Sequence, residues 1–407
     1  MQSSKATASP PPVHPEVPLV RAATAGWDTL VPTLGELIGH DTHARTAAAI
    51  RGAVQAIGSA SALALSVVAT TLAALHGILP VLAVRRLDRL LVNPALDLSV
   101  RGFAYVQTVL GGRTEALIAL DWTEFDADDH STLCAYLVTT HGRATPLWWR
   151  TARCADLTPQ TRVDLEDQLL GDLRRALGPS VRARLLCDRG FVDAERIELW
   201  TAIGWGYVVR LRRNILVTDA TGRTRRADAW LRPDGRAVRL PGARFTGTRQ
   251  AVGSFVAVQQ AGMKDAWFLI CDADVPTATE AIALYDRRFS TEETFRDQQD
   301  PRFGLGLDQL RMADPQKRDR MLLLAAMAQV LLTLLGGAGE ACGLDRGLHR
   351  KGGASTGKKR IYSLFRQGCM WIELLPTLRE DRKRLLIDAF ETLLRQHQAV
   401  IDLLSVL

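Results

Sequence analysis

Three acidic residues occupy positions from which their carboxylates could meet. Asp121 follows the apolar run 116–120 and Asp188 follows the run 182–187, and both runs have the composition of strands. Acids at strand ends lie along one edge of a sheet, where ligands bind in open α/β folds. With Glu292 they would form a hard oxygen site suited to Mg²⁺ or Mn²⁺. Two such ions about 4 Å apart activate the attacking oxygen and stabilise the leaving oxygen in phosphodiester chemistry.

The segment around Glu292 adds two polar side chains to this site. Residues 277–300 are predicted to form one helix, in which Arg288 lies about 60° and Glu292 about 20° from Tyr285 on the helical wheel. One face would therefore present a phenol, a guanidinium and a carboxylate. Burying that face would be costly without polar partners, and a metal and a phosphate would supply them.

Each acid also has an ordinary structural explanation. Asp121 could cap a turn, Asp188 could pair with Arg189, and Glu292 could be a surface residue. The three positions taken together are more specific than any one of them, so we favour the metal site.

The elements needed to position these acids follow from the apolar periodicity. Three strands, a helix, a strand, a helix and a strand are predicted in that order. Their ranges are 116–120, 132–139, 145–151, 162–177, 182–187, 194–203 and 207–211. This is the order of a ribonuclease H-like core, so the sequence predicts an α/β fold with a ribonuclease H-like catalytic core.

The remaining residues divide into flanking regions and an insertion. The predicted divisions are a flexible tail at 1–27, a helical N-terminal DNA-binding region at 28–98, the first part of the core at 99–211, a β-rich insertion at 212–266, the second part of the core at 267–335 and a helical C-terminal region at 336–407. Apolar runs at 59–84 and 321–335 are interpreted as buried helices, because polar residues interrupt the first and the second is shorter than the roughly 20 residues of a membrane span.

Composition and charge narrow the class of protein. Of 407 residues, 47% are hydrophobic and 23% charged, which excludes disorder as the main state. The net charge of +7 is concentrated in residues 210–249, a segment that contains eleven arginines and only three aspartates. Arginine suits bidentate phosphate contacts, so this stretch predicts nucleic-acid binding, with a solvated surface as the alternative. Arg85, Arg86 and Arg89 could likewise face phosphates or simply cover a helix.

Cellular context is inferred from what the termini and cysteines indicate. The start has no basic region followed by an apolar run, and the six cysteines are scattered without metal-ligand spacing. We therefore expect a cytoplasmic protein with reduced thiols and no membrane partner.

The segments around the three acids resemble the motifs of a known family. The segment YDRRFSTEETFRDQQ at 285–299 is similar to the Y-x2-R-x3-E-x6-K signature of bacterial insertion-sequence transposases of the insertion-sequence-four family. LDWT at 120–123 and CDRGF at 187–191 resemble the first two acid motifs of that family. The intervals of 66 and 103 residues between the acids fit a β insertion before the last one.

The resemblance implies roles for individual residues. Asp121, Asp188 and Glu292 would be the catalytic residues and the ligands of two Mg²⁺ or Mn²⁺ ions. Tyr285 and Arg288 would grip the phosphate of the transposon end.

The resemblance also concerns Trp267 and the position of the signature lysine. Trp267 would stack on a flipped terminal base, or it would be an ordinary buried strand aromatic. The lysine of the signature is replaced by Gln299, whose amide can still bind a phosphate, and Arg296 or Arg302 could restore the charge.

These features predict a transposase that performs metal-dependent cut-and-paste DNA transposition. Its partners would be double-stranded inverted-repeat ends, target DNA and a second copy of the chain in a synaptic dimer. The alternatives are a ribonuclease H-like nuclease without strand transfer and an inactive or domesticated DNA-binding relative.

Overall fold

The computed structural model describes most of the chain. Described are Trp27 and residues 43–60, 62–139, 143–246, 248–299, 305–348 and 360–405, without the side chains of 295–299 and 395–405. The predicted flexible tail, apart from Trp27, lies outside the described residues.

The described residues contain twelve strands. They are β1 (Glu115–Phe125), β2 (His130–Val138), β3 (Ala144–Arg153), β4 (Arg182–Cys187), β5 (Gly206–Arg210), β6 (Leu216–Thr218), β7 (Thr224–Arg226), β8 (Val238–Pro241), β9 (Arg244–Phe245), β10 (Gln250–Ala251), β11 (Ser254–Val258) and β12 (Trp267–Cys271). Eight of them form the main sheet in the order β3-β2-β1-β4-β5-β12-β11-β8. The pairs β1–β4 and β4–β5 are parallel, and the other neighbours are antiparallel.

Helices flank this sheet in the part of the chain that the structure describes. They are α1 (Ala44–Ser59), α2 (Leu65–His76), α3 (Pro80–Leu91), α4 (Leu98–Leu110), α5 (Pro159–Leu177), α6 (Ala194–Ala202), α7 (Ala278–Asp286), α8 (Ser290–Gln299), α9 (Pro315–Ala341), α10 (Leu364–Leu374) and α11 (Glu380–Ser405). The predicted order of three strands, helix, strand, helix and strand is present from β1 to β5. The predicted α/β fold class is thus confirmed, with a central mixed sheet and helical flanks.

The first strand is longer than its apolar run indicated. We predicted that it ends before Asp121, but β1 continues to Phe125 because its second half pairs with the start of β2, from Asp121 opposite Cys134 to Phe125 opposite His130. Cross-strand pairing extends the strand through polar residues that periodicity alone does not assign.

The arginine-rich segment contributes to two sheets. Strands β6, β7, β9 and β10 form a separate four-stranded sheet, whereas β8 and β11 extend the edge of the main sheet beyond β12. The limits 212–266 of the β-rich insertion stay a prediction. Strands within that range belong partly to the four-stranded sheet and partly to the main sheet, so the range does not correspond to one sheet.

The two apolar runs form helices of different kinds. Helix α9 is long and apolar enough to cross a membrane, and 72% of its most apolar window is buried inside the protein, which is typical of a core helix. Helices α2 and α3 together pass the same test, but the chain bends by 114° between them.

The helix predicted at 277–300 is wrong as a single element. A 3₁₀ turn at Arg287–Phe289 separates α7 from α8. Because this turn has fewer residues per turn than an α-helix, it changes which side chains share a face.

Helices α9 and α10 cross at two glycines. A Cβ atom at Gly336 of α9 would overlap the carbonyl of Leu364, and one at Gly368 of α10 would overlap the carbonyl of Leu332. In contrast, a Cβ atom at Gly171 of α5 would meet no atom within 4 Å.

We therefore expect opposite effects from alanine at two helical glycines. Gly368→Ala should lower the free energy of unfolding by about 1–3 kcal/mol through overpacking. Gly171→Ala should raise it by up to about 1 kcal/mol through helix propensity. Denaturant unfolding followed by circular dichroism measures both changes, and equal stability of the two variants would contradict the close helix crossing.

Candidate active site

The sheet places the two aspartates side by side. In the parallel pair β1–β4, Leu120 lies opposite Cys187, so the next residues on the two strands are Asp121 and Asp188. Neighbouring strands lie about 4.8 Å apart. Strand β4 ends here because Asp188 begins a 3₁₀ turn, in which the Phe191 amide donates to the Asp188 carbonyl over 3.0 Å. The two acids therefore share one end of the central strand pair.

The segment from α7 to α8 brings polar groups to this end of the sheet. Arg288 Nη1 donates to Asp121 Oδ2 over 3.1 Å, and Arg288 Nη2 lies 3.9 Å from Glu292 Oε1. The Tyr285 hydroxyl donates to Asp188 Oδ1 over 3.3 Å. The three predicted metal ligands and the two predicted phosphate-binding residues thus belong to one contact network. Within it, Arg288 bridges Asp121 and Glu292.

Backbone and hydroxyl contacts hold α8 in place. The Thr294 hydroxyl accepts from the Ala144 amide over 2.7 Å and contacts the Ala144 carbonyl over 3.0 Å, which fastens α8 to strand β3. The buried Thr291 hydroxyl donates to the Arg288 carbonyl over 2.8 Å. Glu292 lies between these two anchors, and its side chain is 56% exposed.

Aromatic rings surround the buried arginine. Trp267, the first residue of β12, packs edge-on against Tyr285 with ring centroids 5.1 Å apart and stacks on Phe289 at 5.9 Å. The Arg288 guanidinium carbon lies 5.9 Å from the Tyr285 ring and 5.5 Å from the Phe289 ring. These rings and Asp121 compensate the burial of the charge, since Arg288 is only 8% exposed.

The local electrostatics shift the pKa values of Asp121 and Tyr285. Burial raises the pKa of Asp121, and the neighbouring charge of Asp188 raises it further, while Arg288 and the Trp122 amide counteract this rise. Burial also raises the pKa of Tyr285 to about 12, so its hydroxyl keeps its proton and acts as a donor. Asp121 therefore depends on a nearby cation to stay ionised at low pH.

A comparison with known protein families identifies the family of this chain. Residues 114–331 match the family model described as a transposase DDE domain, a span that contains all three acids. The chain belongs to the DDE transposase family. No curated protein matches the chain.

Divalent metal ions are generally used by DDE transposase domains. Among the residues that the structure describes, no three His, Cys, Asp or Glu side chains are arranged to hold a metal. The Arg288 guanidinium lies between Asp121 and Glu292 and contacts both carboxylates. Carboxylates are the ligand type that Mg²⁺ and Mn²⁺ prefer, so the chemistry of the predicted donor set fits such ions.

Several positioning residues of this DDE domain were missed by the sequence analysis. Trp122 Nε1 donates to Glu166 over 2.9 Å, Glu166 pairs with Arg196, and Arg196 Nε donates to Asp167 over 3.0 Å. This network ties α5 and α6 to the residue after Asp121. In the sequence, the charged residues of α5 and α6 look like those of ordinary solvent-exposed helix faces. Nothing in it indicates that Glu166, Asp167 and Arg196 contact one another.

A basic groove runs beside Asp188. Its volume is about 460 Å³. Its cationic lining residues are Arg189, Arg210, Arg212, Arg213 and Lys264. Of the two acids in the lining, Asp228 is paired with Arg226 at 2.7 Å. The groove therefore presents excess positive charge from Arg189, the residue after Asp188, to the start of the predicted arginine cluster.

The other predicted DNA-binding positions are only partly described. Arg296 and Gln299 belong to α8, but their side chains lie outside the described residues, as does Arg302. Trp267 is packed among aromatic rings and partly exposed.

Removing the charge of Arg288 should change how Asp121 titrates. In Arg288→Gln the nearest cation is lost, so the pKa of Asp121 should rise further above its ordinary value. Carbon-13 NMR of aspartate carboxyls in the metal-free protein measures this. Arg287→Gln, at the exposed neighbouring position, is the matched control and should leave the titration of Asp121 nearly unchanged. An Asp121 pKa that is equal in both variants would contradict the ion pair.

Proposed function

We propose that the chain catalyses metal-dependent cut-and-paste DNA transposition and is a member of the insertion-sequence-four family. The observation that carries this proposal is the pairing of the acid motifs with the signature residues. Asp121 and Asp188 lie at adjacent strand ends, and each is hydrogen-bonded to a residue of the signature segment. The acids and the phosphate-gripping groups thus face the same volume, as phosphodiester chemistry requires.

We assign the metal to the three carboxylates. Asp121, Asp188 and Glu292 would hold two Mg²⁺ or Mn²⁺ ions, which would activate the attacking oxygen and stabilise the leaving oxygen. The side chain of Glu292 is largely exposed and can change rotamer at small cost.

Arg288 would link DNA binding to the assembly of this site. Its planar guanidinium binds either a carboxylate or a phosphate in the same bidentate manner. When the phosphate of a transposon end arrives, Arg288 would transfer to it from Asp121. The carboxylate would then be available as a ligand, and Tyr285 would donate its hydroxyl hydrogen to the same phosphate.

The reaction would proceed through successive phosphoryl transfers at one site. Water would cut one strand at the element's end, and the freed 3′-hydroxyl would attack the opposite strand to give a hairpin. Hydrolysis would reopen the hairpin, and the same 3′-hydroxyl would join target DNA. Two copies of the chain would hold the two ends. Stacking of a flipped base on Trp267 stays a prediction, supported by its partial exposure beside Tyr285.

The groove beside Asp188 supports a path for a DNA strand. Among the described residues, Arg212, Arg213 and Lys264 have no acidic partner, so their charges are available to phosphates. Contacts of this kind release counterions, so DNA affinity should fall steeply with salt concentration. The localisation would be cytoplasmic and nucleoid-associated.

Two adjacent glutamates of α8 provide a matched test of the metal ligand. Glu292→Gln should reduce Mg²⁺-dependent cleavage of a duplex that carries the element's end by on the order of 10²-fold or more, with DNA binding retained. Glu293→Gln, which changes a residue paired with Arg143 at 3.7 Å, should keep cleavage near the wild-type rate.

An assay with plasmid substrates distinguishes the proposed transposition from DNA cleavage alone. Donor and target plasmids incubated with wild-type protein should give joined products. Cleavage without joining would indicate a nuclease, and cleavage retained by Glu292→Gln would remove that residue from the metal site.

The proposed transfer of Arg288 from Asp121 to a phosphate predicts that removing its charge strengthens metal binding in the absence of DNA. At pH 8, Arg288→Gln should bind Mn²⁺ several-fold more tightly than wild type in the absence of DNA, because the competing cation is gone. It should also bind end DNA more weakly. Electron paramagnetic resonance of unbound Mn²⁺ measures the first effect, with Arg287→Gln as the control. A weaker Mn²⁺ affinity in Arg288→Gln would count against the transfer.

A further inference from the structure

A second cleft lies at the end of the central strand pair opposite to the acids. Its volume is about 350 Å³. In the parallel pair β1–β4, Glu115 lies opposite Arg182 at the start of both strands, and both residues line the cleft. Glu115 precedes Asp121 by six residues of extended chain, or roughly 20 Å at the rise of a β-strand. The cleft is therefore separate from the candidate active site, and it has the volume of a small-molecule pocket.

The lining of this cleft combines charged side chains with aliphatic ones. Four arginines and one glutamate supply the charge, namely Arg113, Arg182, Arg184, Arg287 and Glu115. The aliphatic part includes Leu117 of β1, Leu137 of β2 and Leu284 of α7. Such a lining can hold an anionic group on arginine while a less polar part of the same molecule packs against the leucines.

Arg184 is held in a fixed position from one side. Asp272, which is 9% exposed, accepts from Arg184 Nε over 3.1 Å and from its Nη2 over 3.3 Å. A Cβ atom at Gly206 would lie 2.6 Å from Asp272 Oδ2 and 2.8 Å from Arg184 Nε, so glycine leaves the room for this ion pair. Within the described part of the chain, Arg184 Nη1 makes no hydrogen bond and remains available to an anion.

The cleft keeps an excess of positive charge. The aspartate partners of Arg182 and Arg184 neutralise these two arginines in part. In the ranges that the structure describes, Arg113 and Arg287 have no acidic partner. Arg113 Nη1 donates to the Leu110 carbonyl over 2.5 Å, which fixes this arginine against the end of α4. The cleft is therefore complementary to an anion.

Glu115 shows that a simple anion does not satisfy the whole cleft. Its carboxylate forms no hydrogen bond or ion pair with any residue that the structure describes. It would repel a bare phosphate, whereas hydroxyl or amino groups of a ligand would donate to it. The sugar-phosphate backbone of a DNA strand carries phosphates without hydroxyl donors, so it does not meet this requirement. The ligand must combine an anion, hydrogen-bond donors and a less polar part.

We propose that this cleft binds a free ribonucleoside phosphate. The phosphate would bind the guanidinium groups of Arg113, Arg182 and Arg184. The ribose hydroxyls would donate to Glu115, and the base would pack against aliphatic side chains such as Leu117. This binding requires neither the metal nor DNA, so it goes beyond the proposed transposition and does not depend on it.

Calorimetric titration of the full chain in EDTA with ADP, GDP, CDP and UDP in turn tests the proposal. Wild type should bind at least one of these nucleotides ten-fold or more tightly than inorganic phosphate. Arg182→Gln should weaken that nucleotide about ten-fold, because it removes a charge-assisted hydrogen bond at an exposed position. Arg288→Gln at the acids and Arg213→Gln in the groove beside Asp188 remove phosphate-binding charges elsewhere and should leave its affinity unchanged.

Glu115→Ala gives a test in which two ligands respond in opposite directions. The nucleotide should bind several-fold more weakly, because its hydroxyl groups lose their acceptor. Inorganic phosphate should bind more tightly, because the repelling charge is gone. Thermal unfolding and circular dichroism first establish that each variant is folded.

The remaining outcomes would overturn the proposal. These are no binding of any of the four nucleotides, equal affinity in wild type and Arg182→Gln, and a loss of affinity in Arg288→Gln or Arg213→Gln instead. A parallel response of nucleotide and phosphate to Glu115→Ala would show that the cleft takes any phosphate. Displacement of the nucleotide by a short single-stranded DNA would assign the cleft to a DNA strand. Because no arm involves cleavage, a failure of the proposed function would leave this result intact.

Discussion

The buried ion pair between Arg288 and Asp121 is the interaction on which the candidate site depends. It joins the signature segment to the central strand pair over 3.1 Å and places a positive charge where three carboxylates would otherwise repel one another. Without a cation, adjacent acids at the ends of parallel strands would be driven towards protonation. The site is therefore stable with the guanidinium between the carboxylates, and on the proposed function a phosphate would be the alternative partner of that guanidinium.

The sequence predicted the elements of the core well because their apolar periods are strong. Strands β4 and β12 and the order from β1 to β5 follow directly from apolar runs between turn residues. The convergence of Asp121 and Asp188 could also be predicted, since both follow strands that are parallel neighbours. The polar half of β1 could not, because it exists only through pairing with β2.

The segment carrying Glu292 shows that residues which lie close together can be predicted from an incorrectly assigned helix. A wheel drawn over 277–300 placed Tyr285, Arg288 and Glu292 on one face, yet a 3₁₀ turn interrupts the helix between the first and the last. The three still meet because Thr294 fastens α8 to β3 and because Tyr285 and Arg288 face the strand ends directly. Tertiary contacts leave no local sequence pattern, so neither the Thr294 anchor, between residues 150 positions apart, nor the Trp122–Glu166 contact, between residues 44 positions apart, was predictable.

Helix α9 links the two surfaces that would handle DNA. Its amphipathic first turns reach α3 through Lys317 and Arg320, and Asp319 between them reaches strand β3. Its apolar remainder is buried, and such a packed helix resists bending. A charge placed on α3 is thereby held at a constant position relative to the acids, which a flexible linker could not achieve. The apolar length that makes α9 similar to a membrane span is, on this argument, what holds α3 at a fixed position relative to the strand ends that carry Asp121 and Asp188.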